Sequence, residues 1–185
     1  MNKNIHIRKK QYKKLGIPYT SERQAFDLMS YQARFILSGL RMFRKMKRVG
    51  LAPNDIVEDA YKAHDLKIDA SYAVENEGRA DAACKEARGK WDAILDKMIY
   101  AFDQIVMNYP DSPVDAWSQK VSSDMEEAGI PMYQKLTKNP DGSVTMEESN
   151  FPAIPDNVLK EHEDYHERIH EGLRLYAEYF QDLWD

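Results

Sequence analysis

The chain holds a single cysteine among 185 residues, Cys84, so no intramolecular disulfide can form. Cys84 sits in the Ala-rich stretch Ala82, Ala83, Cys84, Ala87, where a small packed residue is expected rather than a nucleophile. No stretch approaches the ~18 consecutive apolar residues of a membrane-crossing helix. The first residues (MNKNIHIRKKQYKK) carry charge but no apolar run, so a secretory signal is not expected and the expected compartment is cytoplasmic. There is no Gly-rich phosphate loop, no CxxC pair, no Ser/His/Asp arrangement and no dinucleotide fingerprint, which weighs against a conventional enzyme. Acidic residues are nearly missing from one end. Residues 1–50 hold 13 Lys/Arg and 2 Asp/Glu, while the other 135 residues hold 13 Lys/Arg and 29 Asp/Glu. The overall charge of −5 hides that split, which suggests either an internal neutralising contact or a basic surface kept for an anionic partner.

What is present is helical periodicity. The hydrophobic share of 43% is enough to offset chain entropy in one domain of this length. Residues 1–19 read as a mobile or extended basic tail, closed by Gly16 and Pro18, and residues 20–185 as a single helical domain. Ser21 and Gln24 resemble a capping box, and a helix is expected over 21–48 with Leu28, Tyr31, Phe35, Gly39, Met42 and Met46 as its core stripe. Asn54 or Asp55 can cap a short helix through Tyr61, within a variable insert near 54–80. A second strong helix runs from near 80 through Trp91, Ile94, Leu95, Met98, Phe102 and Ile105 to just before Pro110, with a break expected if Gly89 interrupts it. A short helix over 114–128 ends at Gly129 and Pro131. A hairpin over 133–146 is centred on Asn139-Pro140-Asp141-Gly142. The third strong helix spans 156–184, capped by Asp156. Its expected core stripe is Leu159, His162, His166, Ile169, Leu173, Tyr176, Phe180 and Leu183. The fold class expected is mainly α: a bundle of three long amphipathic helices with a small β-hairpin.

The strings RFILSGLRMFRKMKRVG (34–50), KWDAILDKMIYAFDQI (90–105) and EGLRLYAEYFQDLWD (171–185) carry a resemblance. Together they are similar to an uncharacterised family of small tailed-bacteriophage proteins. In that family an Arg/Lys-rich helix precedes a WDxILDKMIYAF helix, and the chain ends in LWD. The resemblance implies a phage accessory protein acting in the bacterial cytoplasm, in a class that often blocks host systems. This chain departs from the pattern in the roughly 40 residues between Gly50 and Trp91, where the family has a shorter link.

Four constellations can carry chemistry, one of them the acidic stripe Asp92, Asp96 and Asp103, whose carboxylates can bind Mg²⁺ or Ca²⁺ or do acid/base work, though one helix does not easily bring all three to a single metal. Arg34, Arg41, Arg44, Lys45 and Arg48 fall within about 100° of arc on the first helix. They can hold a nucleotide, a nucleic acid or an acidic protein, with Arg41, Arg44, Lys45 and Arg48 as the expected ligand-binding set. The alternative is that the stripe faces Asp92, Asp96 and Asp103 of the second helix and is neutralised internally. His162-Glu163-Asp164-Tyr165-His166 matches H-E-x-x-H, and His170 continues the spacing. A Zn²⁺ site on His162, His166 and His170 is the alternative to a reading without cofactor. The zincin context is missing, however, and two of these histidines share a stripe with Ile169 and Leu173. The aromatics Tyr165, Tyr176, Tyr179, Phe180 and Trp184 are read mainly as core, and the apolar C-terminus as docking on its own domain or on a second subunit.

The expected function is therefore a non-enzymatic phage accessory protein. It binds a host component or sequesters an anionic, nucleotide-type ligand, with anti-defence activity as the consequence. The expected partners are a host protein or anionic small molecule, nucleic acid through the basic tail, no membrane, and a homo-oligomer through the C-terminal helix. The alternatives are a metal-dependent hydrolase built on the H-E-x-x-H helix and a virion assembly protein.

Overall fold

The computed structural model describes residues 27–46, 52–67, 77–132 and 134–183. The chain is mainly helical, as expected: α1 (Leu28–Lys45), α2 (Asn54–Ala63), α3 (Glu77–Val106), α4 (Pro113–Glu127), strands β1 (Gln134–Lys138) and β2 (Val144–Ser149), α5 (Asp156–Glu178) and a closing 3₁₀ turn, Phe180–Asp182. The expected basic tail over 1–19, the capping box at Ser21, Arg48 and the terminal Trp184-Asp185 lie outside the described residues. Among the described residues no helix is long and apolar enough to cross a membrane.

The 30-residue α3 is the spine, packing against α1, α2 and α5. Its buried positions repeat at helical spacing: Ala80, Ala83, Ala87, Trp91, Leu95, Met98, Phe102 and Ile105. The small residues come first and let α2 approach closely, with Ile56 and Ala60 buried against that side. Tyr61 of α2 shares a 3.6 Å contact with the sulfur of Cys84, so this half-buried cysteine serves packing. The large residues come second and meet Ala33, Leu37 and Leu40 of α1. Gly89 does not break the helix. It lies on the exposed side, away from the packed stripe, so flanking turns hold it in place.

A second face of α3 receives α5. Ala101, Tyr165 and Ile169 are buried there. Gly172 makes the close approach possible: a Cβ at that position would clash with the Lys97 carbonyl oxygen and lie 2.6 Å from the Ala101 Cβ. The Tyr165 hydroxyl donates to Gln104 Oε1 at 2.8 Å, and Gln104 Nε2 donates to Asp111 Oδ2 at 2.8 Å. Burial pushes the Tyr165 hydroxyl up to about 12. Tyr179 donates to Asp55 of α2 at 2.9 Å, and burial together with that bond pushes it up to about 12 also.

The turn from α3 to α4 puts Asn108 and Tyr109 at positive φ, and Ser112 then caps α4 by accepting from the Asp115 amide. α4 packs on α5. β1 pairs antiparallel with β2, with a register shift between Lys135 and Leu136. Their turn contains Gly142 at φ +86, a conformation that suits glycine.

Two expected core stripes need correction. On α1 the side chains Leu28, Tyr31, Phe35, Met42 and Met46 are exposed, Phe35 at 80%. The helix carries two apolar stripes on opposite sides, and the one facing α3 is Ala33, Leu37 and Leu40. On α5 the buried positions are Tyr165, Ile169 and Gly172, whereas Leu159 and Phe180 are exposed and His162 and His166 are half-buried. The helix ends at Glu178 rather than running to 184, and the 3₁₀ turn rolls Phe180 outward.

Replacing Gly172 with Ala is expected to destabilise the chain by about 1–3 kcal/mol through overpacking against the Lys97 carbonyl. Chemical denaturation measures this, and an unchanged midpoint would show that α3 and α5 separate without cost.

Candidate binding face on α1

The basic residues of α1 divide into two groups. Arg44 lies on the flank nearest α3. Its Nε donates to Asp96 Oδ1 at 3.0 Å and its Nη2 to Asp96 Oδ2 at 3.4 Å, while Nη1 stands 3.4 Å from Asp92 Oδ2. This forked contact, chiefly the hydrogen bond to Asp96, holds the Arg44 guanidinium above its ordinary pKa. Arg41 donates to Asp103 Oδ1 at 2.9 Å. The three carboxylates of α3 thus answer two of the expected ligand-binding arginines, and Arg41 and Arg44 act first as ties between helices.

Arg34 and Lys45 stand further round the helix and make no ion pair among the described residues. With Leu37, Ser38, Arg41, Met42 and Val106 of α3 they line an open trough of about 270 Å³. The trough offers two unpaired cations, one half-exposed arginine, a hydroxyl and an apolar floor. Such a set can hold an anion carrying an apolar portion. Sequence reasoning placed Arg34 on the stripe but not in the ligand-binding set. The available signal was angular: Arg34 and Lys45 lie about 80–100° from Arg44 at ~100° per residue, too far round to reach the same carboxylates.

The histidines of α5 sit elsewhere. The ring centroids of His162 and His166 are 4.4 Å apart in an edge-to-face arrangement, and those of His166 and His170 are 6.2 Å apart. The His162 Nδ1 is buried and makes no hydrogen bond. Burial, assisted by His162 and His170, holds His166 below the ordinary histidine pKa. Among the described residues no group of three or more His, Cys, Asp or Glu is placed to hold a metal ion.

Arg44→Ala is expected to cost about 1 kcal/mol of stability through loss of the interhelical fork, and Arg34→Ala less than about 0.5 kcal/mol. Equal losses in urea melts would contradict the division between the two groups. Because His166 binds its proton less readily in the folded chain than in the unfolded one, its neutral form favours folding. Its share of stability falls as pH drops below about 6.5 and levels off below the folded pKa. His166→Gln is therefore expected to flatten the dependence of Tm on pH between about 7 and 5; a slope identical to that of the parent chain counts against this.

Compared with protein-family models, curated proteins and solved structures, the chain matches none.

Proposed function

We propose that the chain is a non-enzymatic binding protein that holds an anionic partner on the basic face of α1. The supporting observation is the pair Arg34 and Lys45, cations without ion pairs among the described residues, on the rim of an apolar trough. Leaving two charges unpaired beside an apolar floor contributes little to folding, so it fits a surface kept for recognition. Shape favours a macromolecule over a small ligand, because the trough is open along α1 rather than enclosed. A host protein is therefore the first reading, and sequestration of a small nucleotide-type anion the second. The phage assignment, the bacterial cytoplasm as workplace and an anti-defence role rest on the three strings at 34–50, 90–105 and 171–185. In this reading the three longest helices act as one bundle that presents α1.

Native mass spectrometry of the chain drawn from cells, and again after incubation with a nucleotide panel, tests the proposal. The expected outcome is a retained protein or anion that the double variant Arg34→Glu/Lys45→Glu loses while its circular dichroism stays unchanged. A double variant that keeps every bound species sinks the reading, as does a native chain that retains nothing from either source.

A further inference from the structure

The face of α1 turned away from α3 is apolar along its length. Leu28, Phe35 and Met42 recur every seven residues, with Tyr31, Gly39 and Met46 beside them. Phe35 is 80% and Met42 64% exposed. The stripe is about 27 Å long at ~1.5 Å per residue. The five large side chains leave on the order of 500 Å² bare, in the range where an apolar patch on a monomer is often functional. The stripe is also shaped. Nothing lies within 4 Å of where a Cβ on Gly39 would be. Beside that notch an apolar groove of about 330 Å³ opens between Phe35, Met42 and Phe43 of α1 and Tyr176 and Leu183 of the C-terminal segment. A helix lying along α1 can set side chains into both.

Charge decides which helix. One edge of the stripe carries Arg34 and Arg41, seven residues apart, and Lys45 stands on the stripe's own seven-residue repeat with Tyr31 and Ser38. A second copy laid antiparallel brings Arg34 against the partner's Arg41. Laid parallel, it buries Lys45 against its own twin. The parallel pairing is opposed by like charge, and in the antiparallel one Arg34 meets an arginine already answered by Asp103, so a second copy offers Arg34 no carboxylate. The same cations attract carboxylates. We propose that α1 receives an amphipathic helix of another protein, its apolar stripe seated on Phe35 and Met42 and its acidic edge on Arg34 and Lys45, the two cations that Asp92, Asp96 and Asp103 leave unanswered. This rests on the reading of α1 as the binding face and names the chemistry of the occupant.

The test uses a fluorescent helical probe of about three heptads, with Leu at the two core positions and Glu at the flanking ones. Its counterpart carries Lys in place of Glu. Fluorescence anisotropy with the full chain is expected to show the acidic probe binding at least about tenfold tighter than the basic one. Phe35→Asp, and separately Met42→Asp, are expected to lose about tenfold or more of that affinity while circular dichroism stays unchanged. Equal binding of the two probes overturns the proposal, and so does absence of binding or indifference to both apolar variants. Light scattering that finds a dimer dissolved by Phe35→Asp assigns the face to a second copy. Binding to phosphatidylserine vesicles that Phe35→Asp abolishes, with no probe bound, assigns it to a lipid surface; either result overturns the proposal. If the probe fails while Arg34→Glu/Lys45→Glu still releases a retained anion, only the helical occupant falls. If both fail, the binding face falls with it.

Discussion

Turning α1 by half a turn would bury Phe35 and Met42 against α3 in place of Leu37 and Leu40. Either choice removes two large apolar side chains from water, a gain of about 1.5–3 kcal/mol each. The observed rotation also packs Ala33, Ile36 and Phe43 against the core, so burial and charge favour the same face. The fork of Arg44 on Asp96 and the Arg41–Asp103 pair both need the observed rotation. Each exposed pair is worth only about 0.2–1 kcal/mol, and the pairs act together with the burial of Ala33, Leu37 and Leu40 to hold the observed rotation. Everything else about α1 follows from that choice: which cations are consumed, which stay unpaired, and which apolar stripe is left outside.

The elements with one clear stripe and strong punctuation were legible from sequence. α3 shows a single run of Ala then Trp, Leu, Met and Phe at helical spacing, and the turn at Pro110 stops it. α4 is marked by Ser112 and Pro113 at its start and by Gly129 after its end. On α1 the period was legible and the orientation was not, because two apolar stripes satisfy the same spacing. The split of the basic set was hidden for a related reason. Five cations within one arc look alike until the positions of Asp92, Asp96 and Asp103 fix which of them a carboxylate can reach. On α5, histidines at core spacing mimic apolar residues in a periodicity count, whereas the burial falls on Tyr165, Ile169 and Gly172.

The division on α1 separates two kinds of work along one helix. Arg41 and Arg44 are committed inward, where a change shifts the helix and everything it carries. Arg34, Lys45 and Phe35 face outward, where a change leaves the core intact. Of the four cations described on α1, Arg41 and Arg44 meet carboxylates of α3, while Arg34 and Lys45 make no ion pair among the described residues.

The chain of hydrogen bonds from Tyr165 through Gln104 to Asp111 gives the far end of the molecule a different character. Among the described residues α4 packs on α5 and sets Trp117 edge-to-face on Phe151 at 5.5 Å, and this chain with the Ser112 cap ties its base to α3. A segment anchored at one end and on one side can open without unpacking Trp91, Leu95 or Leu37 from one another. α4 therefore belongs to the less tied part of the fold, where local opening costs least. Amide exchange in α4 will report that opening while α1 and α3 stay protected, so loosening of α4 leaves the α1 face geometrically intact.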